Sequence, residues 1–193
     1  MAPGAKRRGK LIVISAPSGA GKTTIARAIL ERNPSLEFSV SATTRVQRTS
    51  EVEGRDYFFL TRDEFLRAVE AGEFVEWEEI YGNYYGTLRR EVDRALESGR
   101  HILFDIDVKG GLSIKKRYPE ALLIFIRPPD IEVLRERLRN RRTEDETTFA
   151  RRLERVPMEL AMGDAFDVQV VNDDLDKAIG EVEEYVSHHI HQS

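Results

Sequence analysis

The chain reads as an α/β protein built on a parallel sheet flanked by helices, and three observations carry that reading. Short apolar runs rich in β-branched residues recur at 11–14, 101–106, 122–126 and 168–171. Helical patterns separate them, the signature of βαβ units whose strands are buried on both faces. Their carboxyl-side ends carry polar chemistry: the loop after Ser15, the pair Asp105 and Asp107, and Asn172-Asp173-Asp174. Sheets of this kind hold their ligands at those ends.

The first element, LIVISAPSGAGKTT at 11–24, organises the rest. A buried strand runs into a loop of small residues, and Gly21-Lys22-Thr23 opens a helix with Ile25, Ile29 and Leu30 on one face. Small residues let backbone N–H groups reach phosphate oxygens, and a helix N-terminus adds positive potential. The segment predicts an ATP cradle from Ala16, Pro17, Ser18, Gly19, Ala20, Gly21, Lys22, Thr23 and Thr24. Lys22 is expected at the outer phosphates and the Thr23 hydroxyl on Mg²⁺. The pattern G-x-x-x-x-G-K-[ST] is met except at its first position, which is Ala16.

Composition narrows the class. A chain of 193 residues, 40% hydrophobic and 33% charged, suits one domain with a substantial core. There is no cysteine, so no disulfide forms. No apolar run approaches the ~18 residues needed to span a bilayer. The expected setting is cytoplasmic, without a membrane partner. Residues 1–8 carry Lys6, Arg7 and Arg8 but no apolar stretch like that of a signal peptide, and read as a disordered basic tail. The net charge of −4 argues against nucleic acid as a partner.

Further along, Pro34 ends the first helix, and 38–43 reads as a strand or an extended loop. A polar stretch with Arg45, Arg48 and Arg55 leads to a strand at 57–60. Thr61 to Glu64 is a capping box for a helix ending near Gly72. Residues 74–77 form a short aromatic segment, 82–86 a turn-rich loop, and 87–98 a helix closed by Gly99. After Pro128-Pro129 comes a charged helical region with Arg135, Arg137, Arg139, Arg141 and Arg142, a second capping box at 143–146, then Arg151, Arg152 and Arg155. Most of these arginines read as a solvated face, and a minority are expected to close over phosphate. The polar end, His188-His189-Ile190-His191, reads as a frayed terminus rather than a metal site.

A cradle for ATP implies hydrolysis or phosphoryl transfer, and transfer to a small acceptor needs a grip on that acceptor and exclusion of water. Arg45 and Arg48 with the phenols Tyr57 and Tyr85 suit a phosphate monoester, and the lone acid Glu76 suits the N–H groups of a base. With these residues in hand the chain resembles the guanylate kinases. The resemblance rests on the blocks 15–22, 41–45 with Arg48, 51–59 and 82–87. It continues through 105–107, 128–129, Arg137-Leu138 with Arg141, and 171–174, covering about residues 9–188.

The resemblance implies a P-loop kinase core plus a GMP-binding insertion and a helical lid, transferring phosphate from ATP to GMP, and to dGMP, with Mg²⁺. It divides a single domain at 9–190 into core (9–40, 99–133, 159–190), GMP-binding region (41–98) and lid (134–158). It places Arg45, Arg48, Tyr57 and Tyr85 on the GMP phosphate, Ser41, Glu76 and Thr87 on guanine, and Asp107 near the guanosine. Arg137, Arg141 and Arg152 would converge on the moving phosphoryl group, and Asn172 would lie by adenine. Ala16 at the head of the loop is also common among bacterial members. Gln47, Ser50, Lys109 and Arg142 depart from the usual Pro, Gly, Gln and Gly, and of these Arg142 bears on the lid backbone.

Two other readings are weighed against this one. A guanylate-kinase-like scaffold module that binds phosphorylated partners would have a degraded ATP loop, and here Gly21-Lys22-Thr23 is intact. A kinase for another small phosphate ester would not carry the full set Ser41, Glu76, Tyr85 and Thr87. One chain supplies every expected site residue, so a monomer suffices and a homo-oligomer stays open.

Overall fold

A computed structural model describes residues 8–139 and 146–192. Residues 1–7 of the expected tail, Arg141, Arg142 and residues 143–145 of the second capping box lie outside the described residues. The main sheet is parallel, in the order β2 (Leu36–Phe38), β7 (His101–Asp105), β1 (Leu11–Ser15), β8 (Leu122–Arg127), β9 (Val168–Val171). All four apolar runs are strands of this sheet, and β2 adds an edge. Alternation along β1 splits the core in two. Ile12 and Ile14 face α1 (Lys22–Arg32) and α7 (Leu175–His191), while Leu11 and Val13 face α3 (Arg89–Ser98) and α4 (Val108–Arg117). Each such side chain fully removed from water contributes about 1.5–3 kcal/mol.

A second sheet, in the order β4 (Phe58–Phe59), β3 (Ser41–Thr43), β6 (Asn83–Leu88), β5 (Phe74–Ile80), stands apart from the first. Only β3 and β4 run parallel in it. It closes over its own small core with α2 (Arg62–Glu70), where Phe65 stacks on Phe74 at 4.4 Å between ring centres. The capping box at Thr61 and Glu64 starts α2 as the sequence indicates.

The structure corrects the reading of 74–98. The turn-rich loop is strand β6, and the helix begins at Arg89, so Thr87 lies in the strand. Gly86 looks like a turn residue, yet its reason is proximity: a Cβ there would stand 2.7 Å from Phe74 and 2.9 Å from Trp77 Cβ. The turn itself is earlier, at Tyr81 (φ 52°) and Gly82 (φ 81°), two left-handed residues that suit a tight hairpin. The short aromatic segment continues as β5 to Ile80, because Glu76 and Glu78 face the cleft and not the core.

The C-terminus is not frayed. Helix α7 runs to His191, and the Lys10 ammonium donates to the carbonyls of His189 (2.7 Å) and Gln192 (2.6 Å), capping its negative end. The Lys10 N–H also donates to His101 Nδ1 at 3.1 Å. Burial, with the Lys10 charge beside them, pushes the His101 and His189 rings below the ordinary histidine value. A ring depressed in the folded state contributes stability that is complete above its unfolded value, near 6.5, and is lost as pH falls from there through the lower folded value. Thermal melts from pH 7.5 down to 5.5 should therefore slope downward, and His189→Gln should flatten the slope. An unchanged slope would remove His189 from this role. Among the described residues no helix is long and apolar enough to cross a membrane.

Candidate active site

The phosphate loop is ready for an anion. Gly21 sits at φ 96°, no side chain caps α1, and its first turn holds no acid, so its leading N–H groups face the cleft uncompensated. A Cβ at Gly21 would fall 2.4 Å from Asn172 Nδ2. Asn172 is buried and donates to the Ala20 carbonyl at 2.8 Å, bracing the loop from the end of β9. Strand order puts β7 beside β1, so Asp105 arrives next to the loop. Lys22 Nζ lies 2.6 Å from Asp105 Oδ1 and donates to the Ile106 carbonyl at 3.1 Å. Thr23 Oγ1 donates to Asp105 Oδ2 at 2.8 Å.

Two of the expected lid arginines reach this end of the sheet. Arg152 Nη1 donates to Ser18 Oγ at 2.7 Å, and Arg137 Nη2 donates to the Asn172 carbonyl at 3.2 Å. Arg152 comes from α6 (Glu146–Gly163) and Arg137 from α5 (Ile131–Arg139). Pro157 lies inside α6 and has no N–H to give to the turn before it.

Of the residues expected to hold the acceptor, Ser41, Tyr57, Glu76, Tyr85 and Asp107 line one cavity of about 170 Å³ together with Glu78 and Asp105, while Arg45, Arg48 and Thr87 are not in its lining. It adjoins a cleft of about 280 Å³ bordered by the phosphate loop, Tyr81, Arg152, Arg155 and Glu159. Lys22, Tyr85 and Asp107 line both. Arg48 opens onto a third cavity of about 700 Å³ with Ser41 and Tyr57.

Glu76 follows an irregularity in the β5–β6 pairing and accepts from Thr87 Oγ1 at 2.6 Å. Thr87 is fully buried. Burial pushes the Glu76 carboxyl up to about 7, with the charges of Asp107 and Glu78 adding and the Thr87 bond opposing. Glu78 is likewise raised by burial, to about 7, beside Asp107; Lys109 counters by donating to it at 2.7 Å. Arg45 is held by Glu51 at 2.7 Å and lies 5.3 Å over the Tyr57 ring. Its bond to Glu51 raises the guanidinium's value and lowers that of the carboxyl. Burial raises the Tyr57 phenol.

The geometry adds Glu51, Glu78, Tyr81, Arg155 and Glu159 to the residues expected from sequence, and gives Asp105 its partners Lys22 and Thr23. Asp105 carried a signal, an acid at the end of a buried strand. Arg155 and Glu159 carried none beyond a charged helix. The hydroxyl of Thr23 and the carboxylate of Asp105 fit Mg²⁺, which takes one or two protein oxygens and completes its shell with phosphate oxygens and water. Among the described residues no group of three or more His, Cys, Asp or Glu is placed to hold a metal by itself.

Comparison with known proteins agrees with this geometry. A family model described as "Guanylate kinase" matches residues 8–189. The chain is 48% identical over 180 residues to a guanylate kinase of Chlorobium luteolum, covering 93% of this chain and 91% of that protein. It is 51% identical over 176 residues to one from Chlorobium chlorochromatii, covering 91% and 93%. A crystal structure of guanylate kinase from Anaplasma phagocytophilum superposes with a TM-score of 0.79 at 31% identity, covering 98% of this chain and 90% of that one.

Proposed function

The chain belongs to the guanylate kinase family, and from that premise we propose that ATP and GMP meet across Lys22, Tyr85 and Asp107 in one continuous cleft. The activity is that of an ATP:GMP phosphotransferase. A GMP phosphate oxygen bonds to the γ-phosphorus of ATP while the bond to the bridging oxygen of ADP breaks, giving GDP and ADP. The juxtaposition that carries this reading is the shared wall: Lys22, Tyr85 and Asp107, with Ile80, border both the phosphate loop's cleft and the cavity of Glu76.

In the proposed arrangement the loop N–H groups and Lys22 hold the ATP phosphates, and Asn172 keeps the loop in place near the adenine side. Arg45, Arg48, Tyr57 and Tyr85 bind the GMP phosphate, with Glu51 fixing Arg45. Ser41, Glu76 and Thr87 read guanine, dGMP included, and Asp107 faces the guanosine. Thr23 and Asp105 would hold Mg²⁺, which when bound neutralises charge on the outer phosphates. The second sheet with α2 and α3 is taken as the GMP-binding region at 41–98, and 134–158 as the lid. Every residue comes from one chain, so a monomer is sufficient. A coupled assay of ADP formation across GMP, dGMP, AMP, CMP and UMP tests the reading: turnover confined to the two guanine nucleotides supports it, and comparable turnover with AMP would sink it.

Arg152 is proposed to act on the moving phosphoryl group. Arg152→Met keeps the stem's packing and removes the charge. Several lid cations share the developing charge, so the expected loss is roughly 10-fold, mainly in kcat. Steady-state kinetics decide it, since an unchanged kcat would return Arg152 to the solvated face.

A further inference from the structure

We propose that Arg155 is a positioning residue that ties the lid helix α6 to the start of α4 through Asp107 and to the acceptor-binding sheet through Glu78 and Tyr81, so that movement of that sheet carries Arg152 toward the phosphates. The proposal rests on the reading of the cleft given above. Four contacts support it, from four parts of the chain. Arg155 Nη2 lies 3.4 Å from Asp107 Oδ2, at the start of α4, and 4.0 Å from Glu78 Oε1, on β5. Its Nε lies 3.3 Å from Glu159 Oε1, one turn along its own helix. Its guanidinium carbon lies 5.7 Å from the centre of the Tyr81 ring, at the β5–β6 turn.

A plain surface pair one turn apart would account for Glu159 and nothing else. Arg155 instead has a side chain only 20% exposed, surrounded by three carboxylates that would repel one another without a cation among them. Arg152 precedes Arg155 by three residues and so shares its face of α6. Arg152 is anchored on Ser18 of the phosphate loop. One rigid helix thus carries two arginines, one on the donor loop and one on the acceptor sheet. Lys109 also neutralises Glu78, but with a side chain 50% exposed it does so from the rim.

The test is steady-state kinetics on Arg155→Met, Arg155→Lys, Glu78→Gln and the double variant Arg155→Met with Glu78→Gln, each checked by thermal melting. Turnover of GMP by the unaltered chain checks the earlier reading separately, so the two fail in different ways. Arg155→Met should lower kcat/KM for GMP by about 5- to 30-fold while KM for ATP stays within about twofold. Arg155→Lys should recover most of that loss, because a cation still reaches the carboxylates. The double variant should cost no more than Arg155→Met alone, as expected for two ends of one link. Equal losses in the Lys and Met variants, or costs that multiply in the double, would mean that the side chain only packs, and would overturn the proposal. If Arg155→Met does not fold, Glu78→Gln decides: a raised KM for GMP supports the link, and an unchanged one overturns it.

Discussion

Lys22→Ala should lower kcat by roughly 10²- to 10³-fold while the fold and the affinity for GMP persist. The ammonium is already placed: Asp105 Oδ1 and the Ile106 carbonyl hold it at the mouth of the loop, where the proposed arrangement puts the charge that grows between the outer phosphates of ATP. A cation fixed there needs no rearrangement as the reaction proceeds. The alanine variant loses that charge and leaves Asp105 facing the phosphates without its counter-ion, so two effects act in one direction. The core does not notice, because α1 is anchored by Ile25, Ala26 and Ile29. Isothermal titration calorimetry on the variant gives GMP binding independently of turnover. Near-normal kcat in the variant would make the loop a structural turn.

Glu76→Gln should cost kcat/KM for GMP roughly 10- to 150-fold, the range of a hydrogen bond to a charged group. Guanine offers N1–H and N2–H₂ on one edge, and an ionised carboxylate accepts both. Adenine offers a bare N1 lone pair there and leaves a desolvated charge without a proton. KM for ATP should move little. The structure adds a pH signature. With the carboxyl at about 7 in the empty site, kcat/KM for GMP should fall as pH drops below 7. That limb should shrink in the glutamine variant, leaving the titration of Glu78 and the ionisation of the GMP phosphate near pH 6. Stability runs the other way. A carboxyl raised on folding favours the native state below its unfolded value, and that contribution is lost as pH rises through the folded value. The variant should therefore melt higher than the parent at pH 8, by about 3 kcal/mol at most, and the gap should close toward pH 4.5. A variant within about twofold of the parent for GMP would remove Glu76 from reading the base.

The sequence made legible what local chemistry dictates. The four buried strands, the loop from Ala16 to Thr23 and the capping box at Thr61 depend on neighbours in the chain, and each stands where those neighbours indicate. Strand β6 did not, because Gly86 and Asn83 are turn residues locally and their strand character comes from β5 alongside. The C-terminal histidines were misread for the same reason: the cap that orders them, Lys10, is at the other end of the chain. In the site, the phosphate-facing residues could be named from motifs. Arg155, Glu159 and Glu78 could not, since the charges of α6 and β5 meet Asp107 in one cluster only once β5, α4 and α6 are assembled.

The place of β1 in the sheet bears on how the chain is made. It is the first strand among the described residues and the central one in the sheet, yet its partners are β7 and β8, at 101–105 and 122–127. A growing chain exposes LIVIS, a segment with strong β-propensity and no charge, until both neighbours have left the ribosome. The second sheet, by contrast, is complete by residue 88 and pairs mostly neighbours, so it can form while β1 waits. Strand order therefore lets the second sheet close before the main one, and until β8 is made LIVIS stays an unpaired apolar segment of the kind that aggregates.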